Sequence, residues 1–151
     1  MERQNIASGA PWESKVGYSR AVRVGPYVHV AGTTAMDESG RVMAPDDAYM
    51  QTVEVLLKIE RALASAGARL SDVVRTRLFV TDLGRDFEGI GRAHGEFFRD
   101  IRPACTMVEV ARLVSPDMRV EIEADAVVAG APPNAAAETG AADAGAAPAG
   151  A

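Results

Sequence analysis

The chain has 151 residues, 48% of them hydrophobic and 25% charged, the balance of one ordinary globular domain with a single core. Its formal net charge of −5 leaves no broad positive field to hold phosphates, so no nucleic-acid partner is expected and a small-molecule metabolite fits better. No apolar run approaches the roughly 18 to 20 residues that cross a bilayer, and the opening MERQNIASGAPWESK lacks the apolar core of a signal peptide, so a cytoplasmic protein without membrane contact is expected. One cysteine, Cys105, and two histidines, His29 and His94, offer neither a disulfide nor a zinc spacing, and no metal is expected.

The elements follow in chain order. An N-terminal strand is placed near residues 4–7. Residues 19–24 and 27–31 read as two strands joined by the tight-turn pair Gly25-Pro26. Asp46 is read as the cap of a long helix to Ala66, with Tyr49, Val53, Leu56, Ile59, Leu63 and Ala66 on its apolar stripe. Gln51, Glu54, Lys58, Arg61 and Ser65 form the opposite stripe, and Gly67 ends the helix. Residues 73–80 are β-branched and alternating, hence a strand.

A second helix is expected over residues 86–98, with Phe87, Ile90, His94 and Phe97 on one face, although Gly89, Gly91 and Gly95 weaken it. After Arg102-Pro103, residues 104–111 and 119–128 read as two more strands. From about Pro132 the chain is Ala, Gly, Pro and a few acids, a composition with nothing to bury, so residues 131–151 are expected to be a disordered tail behind a domain of residues 1–130.

Two helices and one sheet make a two-layer α+β domain whose helices cover one sheet face. In the last strand Val120, Ile122, Ala124, Ala126 and Val128 share one parity, while Arg119, Glu121, Glu123 and Asp125 share the other. Arg75, Arg77 and Phe79 share one parity of the earlier strand and can meet those acids. The charged face is then either solvated or a subunit interface with charge pairs and a polar pocket, and periodicity favours the second only slightly.

The run RPACTMVEVARLVSPDMRVEIEADAVV, residues 102–128, resembles the C-terminal signature of the RidA/YjgF family of enamine and imine deaminases. Gly17-Tyr18-Ser19, Val30-Ala31-Gly32, Phe79-Val80-Thr81-Asp82-Leu83 and the helix ending at Phe98 extend the likeness over nearly all of residues 5–128. The resemblance implies a chorismate-mutase-like fold, with a mixed sheet and two helices on one face, assembled as a homotrimer with a ligand pocket at each subunit boundary. It implies cofactor-free hydrolysis of reactive enamines and imines, which needs a placed carboxylate acid/base and a clamp on the substrate carboxylate.

By that resemblance Glu121 is the catalytic carboxylate, Tyr18 the pocket tyrosine and Gly32 the glycine that lets backbone approach the ligand. Each also has a purely structural reading: an interface ion pair for Glu121, interface packing for Tyr18, a β-bulge for Gly32. Cys105 is the departure. It stands where the deaminases carry the arginine that forks onto the substrate carboxylate, a pair of charge-assisted bonds no thiol replaces. Gly91 and His94 stand where many members have asparagine and tyrosine.

Cys105 reads as a small core-like residue, as a nucleophile if a neighbouring cation lowers its pKa, or as the mark of a pocket for a ligand without a carboxylate; the first and third are favoured together. Arg20 and His94 are the substitutes if an anion is still bound, and His94, on an apolar helix face, also reads as a structural histidine. The functions that follow are hydrolysis of an enamine, imine or related metabolite, with ordinary 2-imino acids poor substrates; a non-catalytic ligand-binding or regulatory trimer; or an endoribonuclease, which the acidic balance opposes.

Overall fold

The computed structural model describes residues 1–130, and the segment 131–151, expected above to be a disordered tail, lies outside the described residues. Six strands and three helices follow one another as β1 (Arg3–Ile6), α1 (Pro11–Val16), β2 (Ala21–Val24), β3 (Tyr27–Thr33), α2 (Ala48–Ser65), β4 (Val73–Val80), α3 (Leu83–Phe98), β5 (Ala104–Glu109) and β6 (Val120–Val127). The short α1 was not expected, because its six residues bury no side chain and so leave no apolar period to read. Its signals are local: Pro11 occupies the first turn, and Gly17, at φ 82°, closes the helix with its N–H on the Glu13 carbonyl.

The strands form one mixed sheet in the order β1-β2-β3-β6-β4-β5. Only β4 and β5 run parallel, joined by α3 as the crossover helix. Helices α2 and α3 lie on one face and complete a core that includes Leu56, Ile59 and Leu63 from α2, Ile90 and Phe98 from α3, and Val28, Leu78, Val80, Val120 and Ile122 from the sheet. Each such side chain contributes about 1.5–3 kcal/mol by leaving water. The two-layer α+β domain with both long helices on one face is therefore present as expected.

Several boundaries and faces differ from the sequence reading. The cap of α2 is Asp47, whose carboxylate accepts the Met50 N–H at 2.9 Å, while Asp46 is exposed and meets Arg119 at 3.4 Å. Helix α3 starts nearly a turn before Asp86, capped by Asp82, which accepts the Arg85 N–H at 3.0 Å. Asp86 is then a buried carboxylate between Arg85 and Arg119, at 2.8 and 3.3 Å, and these bonds hold the start of β6 to α3. Phe87, expected to be internal, is 58% exposed, whereas Ile90, expected on the same face, is buried together with Ala93 and Phe98.

Gln51 is the largest correction. It was assigned to the solvent stripe of α2 but is fully buried, its amide donating to the carbonyls of Ala44 and Asp117 at 3.1 and 2.8 Å and its oxygen accepting the Arg119 N–H at 2.8 Å. One side chain thus ties the loop before α2 to the loop before β6. Gln51→Leu, which keeps the bulk and loses all three bonds, should destabilise the fold by about 2–5 kcal/mol in denaturant unfolding. A loss under about 1 kcal/mol would mean that those backbone groups find other partners.

Candidate functional site

The face of the sheet away from the helices carries the charges, as the strand parities required. Across the β4–β6 ladder Arg77 stands opposite Glu123, and its guanidinium reaches Glu123 at 3.3 Å and Asp125 at 3.1 Å. His29 on β3 holds the same Asp125 through Nδ1 at 2.8 Å. These acids are therefore matched within one chain. Glu121 is different: its cross-strand neighbour is Phe79, and among the described residues it takes part in no ion pair. Half-burial pushes its carboxyl above the usual range, the Glu123 charge adds to this, and the Arg20 charge opposes it.

A β-bulge places backbone beside that carboxylate. Val30 pairs with Ala124 and Thr33 with Ile122, so Ala31 and Gly32 together oppose one residue of β6. The bulge reading of Gly32 holds, and the backbone there lies close to Glu121: a methyl would collide with Glu121 Oε1 and come within 3.1 Å of its Cδ. Arg20, just before β2, spans the bulge, with Nη1 donating to the Gly32 carbonyl at 2.9 Å and the Thr33 hydroxyl at 2.8 Å. Its other terminal nitrogen points to the Tyr18 hydroxyl at 3.4 Å. Tyr18, delivered by the turn at Gly17, also lines an open groove of about 430 Å³ with Ser19, His29, Ala31, Glu123 and Asp125.

Tyr18, Arg20, Gly32 and Glu121 are thus brought together, and Cys105 and His94 are not. In the parallel β4–β5 register Cys105 lies beside Thr76, which is buried on the helix side of the sheet and bonded to His94 Nε2 at 2.9 Å. The His94 ring also stacks on Phe98, 4.7 Å between centroids, and burial lowers its pKa, which keeps it neutral. Within the single chain these are the contacts of a packed histidine. Cys105 is an exposed free thiol on an edge strand, so the core-like reading fails for the single chain. Glu121 faces the opposite side, two strands and roughly 10 Å away laterally.

Two participants escaped the sequence reading. Thr33 is a buried hydroxyl that relays from Arg20 to the Ala31 carbonyl at 2.8 Å. Lys58, assigned to the solvent stripe of α2, is half-buried and donates to the carbonyls of Thr34 and Met36 at 2.7 and 2.9 Å. Helical period put Lys58 on the polar side. Nothing local in the sequence signals that the chain leaving β3 passes over it.

The comparisons with known proteins agree with this architecture. Residues 9–128 match the family model described as Endoribonuclease L-PSP. The chain is 36% identical over 105 residues to the 3-aminoacrylate deaminase RutC of Acinetobacter baylyi, covering 70% of this chain and 82% of that one. It is 35% identical over 123 residues to an uncharacterized protein of Streptomyces coelicolor, covering 82% and 90%. The crystal structure of Rv2704 from Mycobacterium tuberculosis, described as a member of the YjgF/YER057c/UK114 family, is 50% identical and superposes with a TM-score of 0.76, covering 84% of this chain and 100% of that one. With the family model matched from just before α1 through β6, and a half-identical solved relative laid over the same sheet, the chain belongs to the RidA/YjgF family and has its chorismate-mutase-like fold.

Proposed function

We propose that the protein hydrolyses a small reactive imine or enamine in a pocket completed between copies of the chain in a homotrimer, with Glu121 as the acid/base and no cofactor. The observation that carries this reading is Glu121 itself: a half-buried carboxylate of raised pKa, set against Gly32 and the Tyr18–Arg20 pair, that no cation neutralises among the described residues. A structural acid on this face is paired, as Glu123 and Asp125 are. The likeness to a 3-aminoacrylate deaminase supports the reaction class.

The chemistry asks for little. An ionised Glu121 takes a proton from water as its oxygen attacks the imine carbon, and the protonated form returns a proton to nitrogen. Glu121 then carries the proton of the new hydroxyl to that nitrogen as the C–N bond breaks, leaving a carbonyl product and ammonia, with atoms balanced by one water. A carboxyl pushed upward by burial exchanges that proton nearer neutrality than an exposed glutamate. Because Cys105 and Glu121 lie on opposite sheet faces, a pocket that includes both requires the edge strand of a second copy.

The thiol at position 105 also favours a second reading, a trimer that binds a ligand without turning it over. Absence of imine hydrolysis in the native protein and in Cys105→Arg alike would select that reading. Endoribonuclease activity, named in the family description, is not carried over: Glu121, Glu123 and Asp125 share this face and Arg77 is already taken by Glu123 and Asp125, whereas phosphodiester cleavage needs cationic stabilisation.

The native protein should hydrolyse 2-imino acids, generated in place by an amino-acid oxidase, little faster than the spontaneous reaction. Cys105→Arg should raise that rate about tenfold or more by restoring a carboxylate clamp, and Glu121→Gln in the same background should abolish the gain. High native activity would contradict the role given to position 105.

A stability measurement tests Glu121 without any substrate. A carboxyl whose folded pKa is raised contributes stability that is complete below its unfolded value near 4.3 and is lost as pH rises through the folded value. Glu121→Gln should therefore melt higher than the native protein at pH 7, with the difference closing below about pH 4. A lower melting temperature at pH 7 would show Glu121 to be a structural ion-pair partner.

A further inference from the structure

We propose that Arg20 is the positioning residue of this site: its guanidinium locks the β3 bulge so that Gly32 stays against Glu121, and it holds a fixed positive charge beside that backbone. The inference rests on the reading of Glu121 given above only for its catalytic consequence.

A bulge is a place where the ladder is broken and one residue is left without its cross-strand partner. Here the break falls at Ala31 and Gly32, and Arg20 addresses every residue of it. Its own carbonyl accepts the Ala31 N–H at 3.0 Å. Both hydrogens of Nη1 are committed, one to the Gly32 carbonyl and one to the Thr33 hydroxyl, and that hydroxyl passes its own proton to the Ala31 carbonyl. Lys58 holds the continuation from the other side through Thr34 and Met36. Residues 31–36 are thus pinned by two cations, and a nitrogen spent on two protein acceptors serves as a fixed charge and a brace.

The groups that face Glu121 can be named element by element. Glu123 stands on its own strand and raises its pKa, Phe79 on β4 is uncharged, β3 presents Gly32, and Arg20 with Tyr18 comes from the segment before β2. Arg77 on β4 is taken by Glu123 and Asp125. The Arg20 charge also reaches Glu13 of α1, whose pKa is lowered, against burial, mainly by its hydrogen bonds from Ser8, and Lys58 of α2, whose pKa falls mainly through burial. Arg20 therefore offsets the burial of Glu121 while holding the backbone against which the carboxylate rests.

The test uses the full, ligand-free chain. Side-chain carboxyl resonances of ¹³C-labelled glutamate, with Glu121 assigned from its glutamine variant, are followed against pH in the native protein, Arg20→Gln and Arg20→Lys. Loss of the charge in Arg20→Gln should raise the Glu121 midpoint by roughly 0.5–1 pH unit. Arg20→Lys keeps a charge but cannot reach both acceptors, so the midpoint should stay near the native one while amide exchange at residues 31–34 quickens more than about tenfold. An unmoved midpoint in Arg20→Gln overturns the proposal, and so does native exchange in Arg20→Lys, the variant that decides if Arg20→Gln does not fold. A protein that hydrolyses no imine, even as Cys105→Arg, would instead refute the catalytic reading and leave these titrations standing.

Discussion

A β-strand turns its side chains alternately to two faces, and in this molecule helices cover only one of them. The parity that sends Ile122, Ala124 and Ala126 into the core therefore sends Glu121, Glu123 and Asp125 to the open face, with no freedom to choose otherwise. A slip of one residue in β6 would exchange the two sets, burying three carboxylates and exposing the core. Alternation breaks at two places, between Val73 and Arg75 of β4 and at Ala31 and Gly32 of β3. The second turns two successive residues towards the open side, and it is there that the candidate site lies.

The charges on that face divide into two kinds. Arg77 and His29 bind Glu123 and Asp125, which makes those acids part of the sheet's own cross-strand bonding. Glu121 is left with burial and a like charge raising its pKa and with Arg20 held at the bulge as the opposing influence. A carboxylate kept at an energetic disadvantage beside acids that are paired is a candidate for proton transfer. The same reasoning sets His94 aside, since its ring is satisfied by Thr76 and Phe98 on the far side of the sheet.

Much of this was legible in the sequence because strand parity is a local property. The opposed faces of β6, the matching of Arg77 to its acids, and the two-layer architecture follow from alternation, and the family resemblance placed Tyr18, Gly32 and Glu121 on this face. Helix faces were less legible. The stripe of α2 was centred too far towards Tyr49 and Val53, which are half-buried, and Gln51 was sent to solvent although its three bonds cross to loops distant in sequence. Lys58 and Thr33 act through backbone carbonyls, and backbone acceptors leave no mark on residue type. The assignment of Cys105 to the same pocket as Glu121 came from a position along the chain. Only the register of β4 with β5 shows that the two point to opposite sides.

That opposition makes the shared pocket a statement about assembly. The most direct measurement is thiol cross-linking of Glu121→Cys, in which Cys105 and the new cysteine are offered to a short bismaleimide and the products are separated under denaturing conditions. If the edge strand of one copy completes the site of the next around a closed ring of three, covalent dimers and trimers form and nothing larger. They disappear when Cys105 is replaced by serine in the same variant. Recovery of monomer alone, with both thiols modified, would contradict a pocket built between copies and return Cys105 and Glu121 to separate roles.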